Sequence, residues 1–152
     1  MPDPAPASGP GELLRRALVA TLATLSRRHP GWPAASFAPF ALDGDGAPLL
    51  LLSEIAEHAR NLEADARVCL FVHDAVGEDV KATPRLALYG RARRLPAAEA
   101  ALARDRYLAR HPSAAPLLEL DFRLWKVEVV EAQWVGGFAA ARWLAPEQLA
   151  AP

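Results

Sequence analysis

A chain of 152 residues, 52% hydrophobic and 23% charged, is long enough for one domain with a real core and too apolar to be disordered. Its formal net charge of −1 excludes a global drive toward nucleic acid or an anionic membrane, and the fifteen arginines among seventeen basic residues read as the bias of a GC-rich, alanine- and proline-rich chain. The one cysteine, Cys69, rules out an internal disulfide. With no apolar run near the roughly 20 residues that cross a bilayer and no signal-like N-terminus, the chain is expected in the cytoplasm, with no membrane contact.

Residues 1–11 hold four prolines and two glycines and read as a disordered lead-in, which leaves 12–152 as a single domain. Apolar residues at 13, 14, 17 and 18 predict a short amphipathic helix over 12–18. A strand over 17–26 overlaps its end, and "RRHPGWP" breaks it. A second strand covers 34–42, where Pro39 requires an edge position or a bulge. "DGDG" is a hairpin turn before the leucine run that ends at Ser53. Residues 54–64 are helical, with Ile55, Ala59 and Leu62 on one face.

"RVCLFVHD" (67–74) is apolar on both parities and reads as a buried strand, with Cys69 a buried inert thiol. A polar loop over 75–83 leads to an alternating strand over 84–95, in which Leu86, Leu88 and Gly90 share a face. Residues 96–112 form a helix framed by prolines, 122–138 a long last strand, and the tail a loop with one helical turn. Hairpin-linked strands without a crossover helix after each one predict a mainly β antiparallel barrel with α decoration.

Little in this sequence carries chemistry by itself. No two of His29, His58, His73 and His111 lie within helical reach of each other. "DGDGAPLLLLSE" puts Pro48 where a calcium loop needs glycine, so no metal site is expected. Neither a nucleophile elbow nor a glycine-rich phosphate loop occurs. The exception is "SEIAEHARN", residues 53–61. Ser53 can be the plain N-cap of the following helix. Alternatively, the free N–H groups of 54–56, with His58, Arg60 and Asn61, can face an anion. Glu54 and Glu57 oppose the second reading, and both stay open at this point.

Six segments in order resemble the pyridoxamine-phosphate-oxidase-like split-barrel superfamily, in particular its haem-utilisation (HugZ-like) branch. They are "ATLATLS", "GWP" before "AASFAPFALD", "LLLLSEIAEHARNLEADARVCLFV", "RLALYGRARRL", "ARDRYLARHP" and "VGGFAAARWL". The Ser-x4-His-x2-Asn-Leu spacing at 53, 58, 61 and 62 and the Gly-Gly-Phe at 136–138 are the most specific pieces.

The resemblance implies a six-stranded FMN-binding split barrel, a homodimer with flavin at its interface, and two-electron redox of a small molecule. Carried over, Ser36, Phe37, Ala38 and Pro39 would line the isoalloxazine and ribityl chain, and Leu52 and Ser53 would stand beside the phosphate. His58, Arg60 and Asn61 would supply its polar contacts. The chain departs from the family at Ala59, where threonine is usual, and in "GGFAAA". Haem binding or degradation through His29, His73 or His111, and a non-catalytic binding module, are the alternatives. The four tryptophans are expected either in the core or as interface anchors.

Overall fold

The computed structural model describes residues 5, 7–75, 80–137 and 140–149. Its strands are β1 (Val19–Leu25), β2 (Pro33–Leu42), β3 (Pro48–Ser53), β4 (Arg67–His73), β5 (Arg85–Arg94), β6 (Phe122–Val135) and β7 (Ala141–Leu144). The helices are α1 (Pro10–Arg16), α2 (Glu57–Ala64) and α3 (Ala97–Arg110). The strands run in the order β3-β2-β1-β4-β5-β6-β7, and β3 also pairs with β6, so the first six close into a barrel. Every pairing is antiparallel. The expected six-stranded split barrel is present, with β7 added outside the closure.

Closure explains the sequence pattern. Leu22, Phe40, Leu50, Leu70, Leu86, Leu88 and Val127 fill the barrel, with Leu13 and Leu14 of α1 and Ala59 and Leu62 of α2 packed against them. The leucine run of β3 is buried on both sides. Leu50 and Leu52 face the barrel, while Leu49 and Leu51 lie in a second cluster with Ala103 and Tyr107 of α3. Each such leucine contributes about 2 kcal/mol of burial.

Pro39 sits where the sequence requires it. It pairs with Val19 of β1, whereas pairing with β3 starts only at Phe40, so no partner lacks its N–H. The "DGDG" hairpin turns with Gly46 at φ 85°, the left-handed region that favours glycine. Its Gly46 N–H donates to the Asp43 carbonyl.

Several boundaries differ from expectation. Residues 10 and 11 belong to α1 and Ala7 is buried, so chain assigned to the lead-in is packed in place. Pro10 favours the first helical turn because it has no N–H to satisfy, and Ala17 leaves the helix in extended geometry. β4 is not buried on both faces. Its burial alternates, with Val68, Leu70 and Val72 inside and Phe71 37% exposed, because a single-layer barrel leaves one parity outside. Trp125 and Trp134 are core residues, while Trp32 and Trp143 are exposed. A 3-10 helix over Pro112–Glu119 and the strand β7 carry no strong periodic signal and were not anticipated. Residues 76–79 of the expected polar loop and Phe138 of the Gly-Gly-Phe lie outside the described residues.

Candidate functional site

The connection between β3 and α2 is folded by long-range contacts. Ser53 does not cap α2, whose N-cap is Ala56 with no side-chain cap bond. Its hydroxyl instead donates to Asp121 Oδ2 at 2.5 Å, beside the Ser53–Phe122 pairing of β3 with β6. The backbone N–H groups expected to face an anion are engaged as well. Glu54 N–H donates to the Asp121 carbonyl at 3.1 Å, and Ala56 N–H to the Ser53 carbonyl at 3.1 Å. The Ile55 N–H reaches the Asp121 carboxylate, which the hydroxyl of Ser53 first and this amide further on hold below the usual carboxylate range. Asp121 therefore stays ionised and sits where an anionic ligand was expected.

Asn61 is internal too. It is 2% exposed; its Nδ2 donates to Thr24 Oγ1 at 3.0 Å and its Oδ1 accepts from Arg27 N–H at 2.9 Å. This side chain ties α2 to β1. Ala59 is buried in the core, so the hydroxyl that its threonine counterpart carries would point into packed side chains. Leu52 is core. On α2, His58 and Arg60 are half-buried and have no side-chain partner among the described residues. Burial pulls the His58 pKa down, so its imidazole is neutral near pH 7.

The four β2 residues do not share a face. Ser36 and Ala38 follow the inward parity of Phe40, whereas Phe37 and Pro39 point outward. Phe37 is 74% exposed and begins a row across the outer surface. Phe37 pairs with Thr21, Thr21 with Phe71, Phe71 with Ala87, Ala87 with Gln133, and Gln133 with Trp143. Trp143, 54% exposed, also packs on Tyr89 with ring centroids 5.7 Å apart. At the usual strand spacing this row spans about 24 Å. Val19 and half-buried Cys69 border it, and burial raises the Cys69 thiol pKa, which keeps it inert. Sequence reasoning found Phe37 but missed the row, since only register aligns residues from six strands.

Histidines sort by their surroundings. His111 Nε2 lies 2.7 Å from the Phe40 carbonyl and stacks on Tyr107, so it is structural. His29 packs beside Trp32 in the β1–β2 loop. His73 ends β4 on the outer parity, its ring 5.9 Å from that of Phe71. Its Nδ1 accepts from Ala75 N–H at 3.2 Å, which leaves Nε2 directed away from that bond. Among the described residues no group of three or more acidic, histidine or cysteine side chains could hold a metal. No helix among them is long and apolar enough to cross a membrane.

A six-stranded closed antiparallel barrel of this topology, with helices packed against it, defines a split-barrel fold. The chain belongs to the CREG β-barrel family, whose model matches residues 8–150. It is 31% identical over 129 residues to the chloroplastic non-canonical haem oxygenase HOZ of Arabidopsis thaliana, covering 85% of this chain and 40% of that protein.

A haem-binding protein from Mycobacterium smegmatis superposes with a TM-score of 0.85 at 34% identity, over 97% of this chain and 60% of that one. The chain thus spans less than two thirds of both relatives. A protein of the pyridoxinephosphate oxidase family from Clostridium acetobutylicum shares the fold, with a TM-score of 0.67 at 15% identity over 91% of this chain and 92% of that one.

Proposed function

We propose that this chain is a haem-binding split barrel that works as a homodimer, with the outer aromatic face buried between two copies and the macrocycle held at that face. The observation that carries the reading is the exposed row from Phe37 through Phe71 to Trp143. Exposed aromatic rings aligned on one sheet face, here interleaved with Thr21, Ala87 and Gln133, suit a partner or a flat apolar ligand. The kinship with a haem oxygenase and a haem-binding protein supports it.

The residues fit such a group. Phe71 and its neighbours in the row would supply apolar contact, and His73, beside Phe71, is the imidazole on this face. Serving as ligand through Nε2 requires the tautomer with the proton on Nδ1, so the weak bond from Ala75 would be given up. Bound haem would supply iron chemistry toward oxygen, while the barrel would orient the ring and exclude water. A cytoplasmic setting agrees with the single unreactive thiol.

Flavin binding is the second reading, favoured by half-buried His58 and Arg60 on α2. Under it the protein would be an FMN-dependent oxidoreductase of a small molecule. The fit is poorer, because Asp121 engages Ser53 and the Glu54 amide, the Ser53 carbonyl engages the Ala56 amide, and Thr24 and Arg27 engage Asn61. Separate titrations of the purified protein with haemin and FMN, followed by visible absorption, distinguish the two. A saturable Soret shift at one haem per chain, weakened by His73→Ala, is expected. Flavin uptake without a Soret change would replace the first reading with the second, and a haem complex that never turns over would make it a binding module.

A further inference from the structure

We infer that the end of the barrel closed by α1 holds a second, separate pocket for an apolar carboxylate such as a medium-chain fatty acid. A cavity of about 600 Å³ lies where α1, the β2–β3 hairpin, β6 and the Pro146–Leu149 turn meet. This volume is in the range of small-molecule sites. It shares no residue with the aromatic outer face, and the inference does not rest on haem or flavin binding. Leu14, Leu42, Val129 and Leu149 give it apolar walls.

Charge selects the ligand. Each acid on the wall is already paired. Asp43 is bound by Lys126 at 2.8 Å and by Arg106, Asp45 by Lys126 at 2.7 Å, and Glu128 by Arg93 at 2.7 Å. Lys126 and Arg93 are each shared between two carboxylates, Arg93 also meeting Glu99 at 2.8 Å. Among the described residues only Arg15 lines this space without a carboxylate partner. Arg15 also borders an adjoining cavity of about 290 Å³, whose other charged residues, Arg106 and Arg110, are both cationic. Arg106 is neutralised by Asp43, and Arg110 donates to the carbonyls of Arg15, Arg16 and Ala17 at the end of α1. The unbalanced charge over both spaces is therefore positive, beside an apolar wall. A single negative headgroup on an apolar chain matches it, and a cationic amphiphile does not.

Calorimetric titration of the full chain with decanoate, decan-1-ol and decylamine, all below micelle formation, tests this. Decanoate should bind once per chain, and about fivefold more tightly than decanol, as suits an exposed cation. Decylamine should not bind. Arg15→Gln should bring decanoate down to the affinity of decanol while haemin and FMN titrations stay unchanged. Leu149→Trp, which fills the pocket from the C-terminal turn, should abolish binding of both. Equal affinity for decanoate and decanol in the unmodified protein, or undiminished decanoate binding by folded Leu149→Trp protein, would overturn the assignment.

Discussion

Replacing Asn61 by alanine separates a structural role from a ligand-binding one. The side chain is 2% exposed and makes two hydrogen bonds, to Thr24 Oγ1 and from Arg27 N–H. Two such bonds contribute about 1 kcal/mol each, and leaving the buried Thr24 hydroxyl without its donor adds about 1 kcal/mol more. The loss should therefore be about 3 kcal/mol. For a domain of this size that lowers Tm by about 6–12 °C. Urea unfolding of the ligand-free protein, read by tryptophan fluorescence, measures it. Thr24→Val and the double variant close a cycle whose coupling should be about 1 kcal/mol. A loss below about 0.5 kcal/mol in Asn61→Ala, the size of an ordinary surface change, would refute the reasoning and return Asn61 to the ligand.

Gly90→Ala should cost about 3 kcal/mol in urea unfolding, because an added Cβ would lie 2.4 Å from the Glu128 carbonyl oxygen at the register shift between β5 and β6. Burial works to raise the carboxyl pKa values of Asp43 and Asp45, but hydrogen bonds, chiefly from Lys126, outweigh it and hold both below the usual value. Their stabilisation is thus present above about pH 4 and lost as pH falls through the depressed folded values. Lys126→Met should flatten that acid limb in a stability–pH profile, and an unchanged slope would count against the network. Phe37→Asp should shift sedimentation at micromolar concentration from dimer to monomer without lowering the unfolding midpoint of the monomer; a variant that still sediments as a dimer would exclude this face as the interface.

Much of the barrel was legible because its signals are local. Alternation in "RLALYGRARR" has a period of two, "DGDG" names its turn, and prolines bracket α3. The leucine run of β3 misled no assignment, since a strand between the barrel core and α3 is apolar on both parities. The same pattern in β4 did mislead. There the second parity, Cys69 and Phe71, faces outward as part of the aromatic surface. Composition cannot separate a second core from a surface awaiting a partner. β7 was missed because four residues, "ARWL", are too short to show a period. The site was least legible, since Asn61 meets Thr24 across 37 positions and Ser53 meets Asp121 across 68.

That distance explains why spacing alone does not decide whether such a motif is open to a ligand. Ser53, His58 and Asn61 are brought close by one connection, and spacing alone makes them a cradle for an anion. Whether the cradle is open depends on β6, which enters from the far end of the chain and lays Asp121 across the amides of residues 54 and 55. Asp121, held ionised by the hydroxyl and amide it receives, repels a phosphate at close range. Arg94 and Arg123 both meet Glu54, at 2.7 Å and 3.8 Å, and Arg123 also lowers the Asp121 pKa. The two cations thus balance Glu54 and Asp121 and leave no surplus charge for an anion. A negative ligand at residues 53–61 finds Ser53, Asn61 and the amides of 54 and 56 engaged and a carboxylate beside them, with His58 and Arg60 left as donors. A flat apolar ligand on the outer face does not meet that carboxylate. Under the proposed reading, the preference for haem over flavin therefore rests largely on Asp121, a carboxylate in the turn before β6 that the motif does not contain.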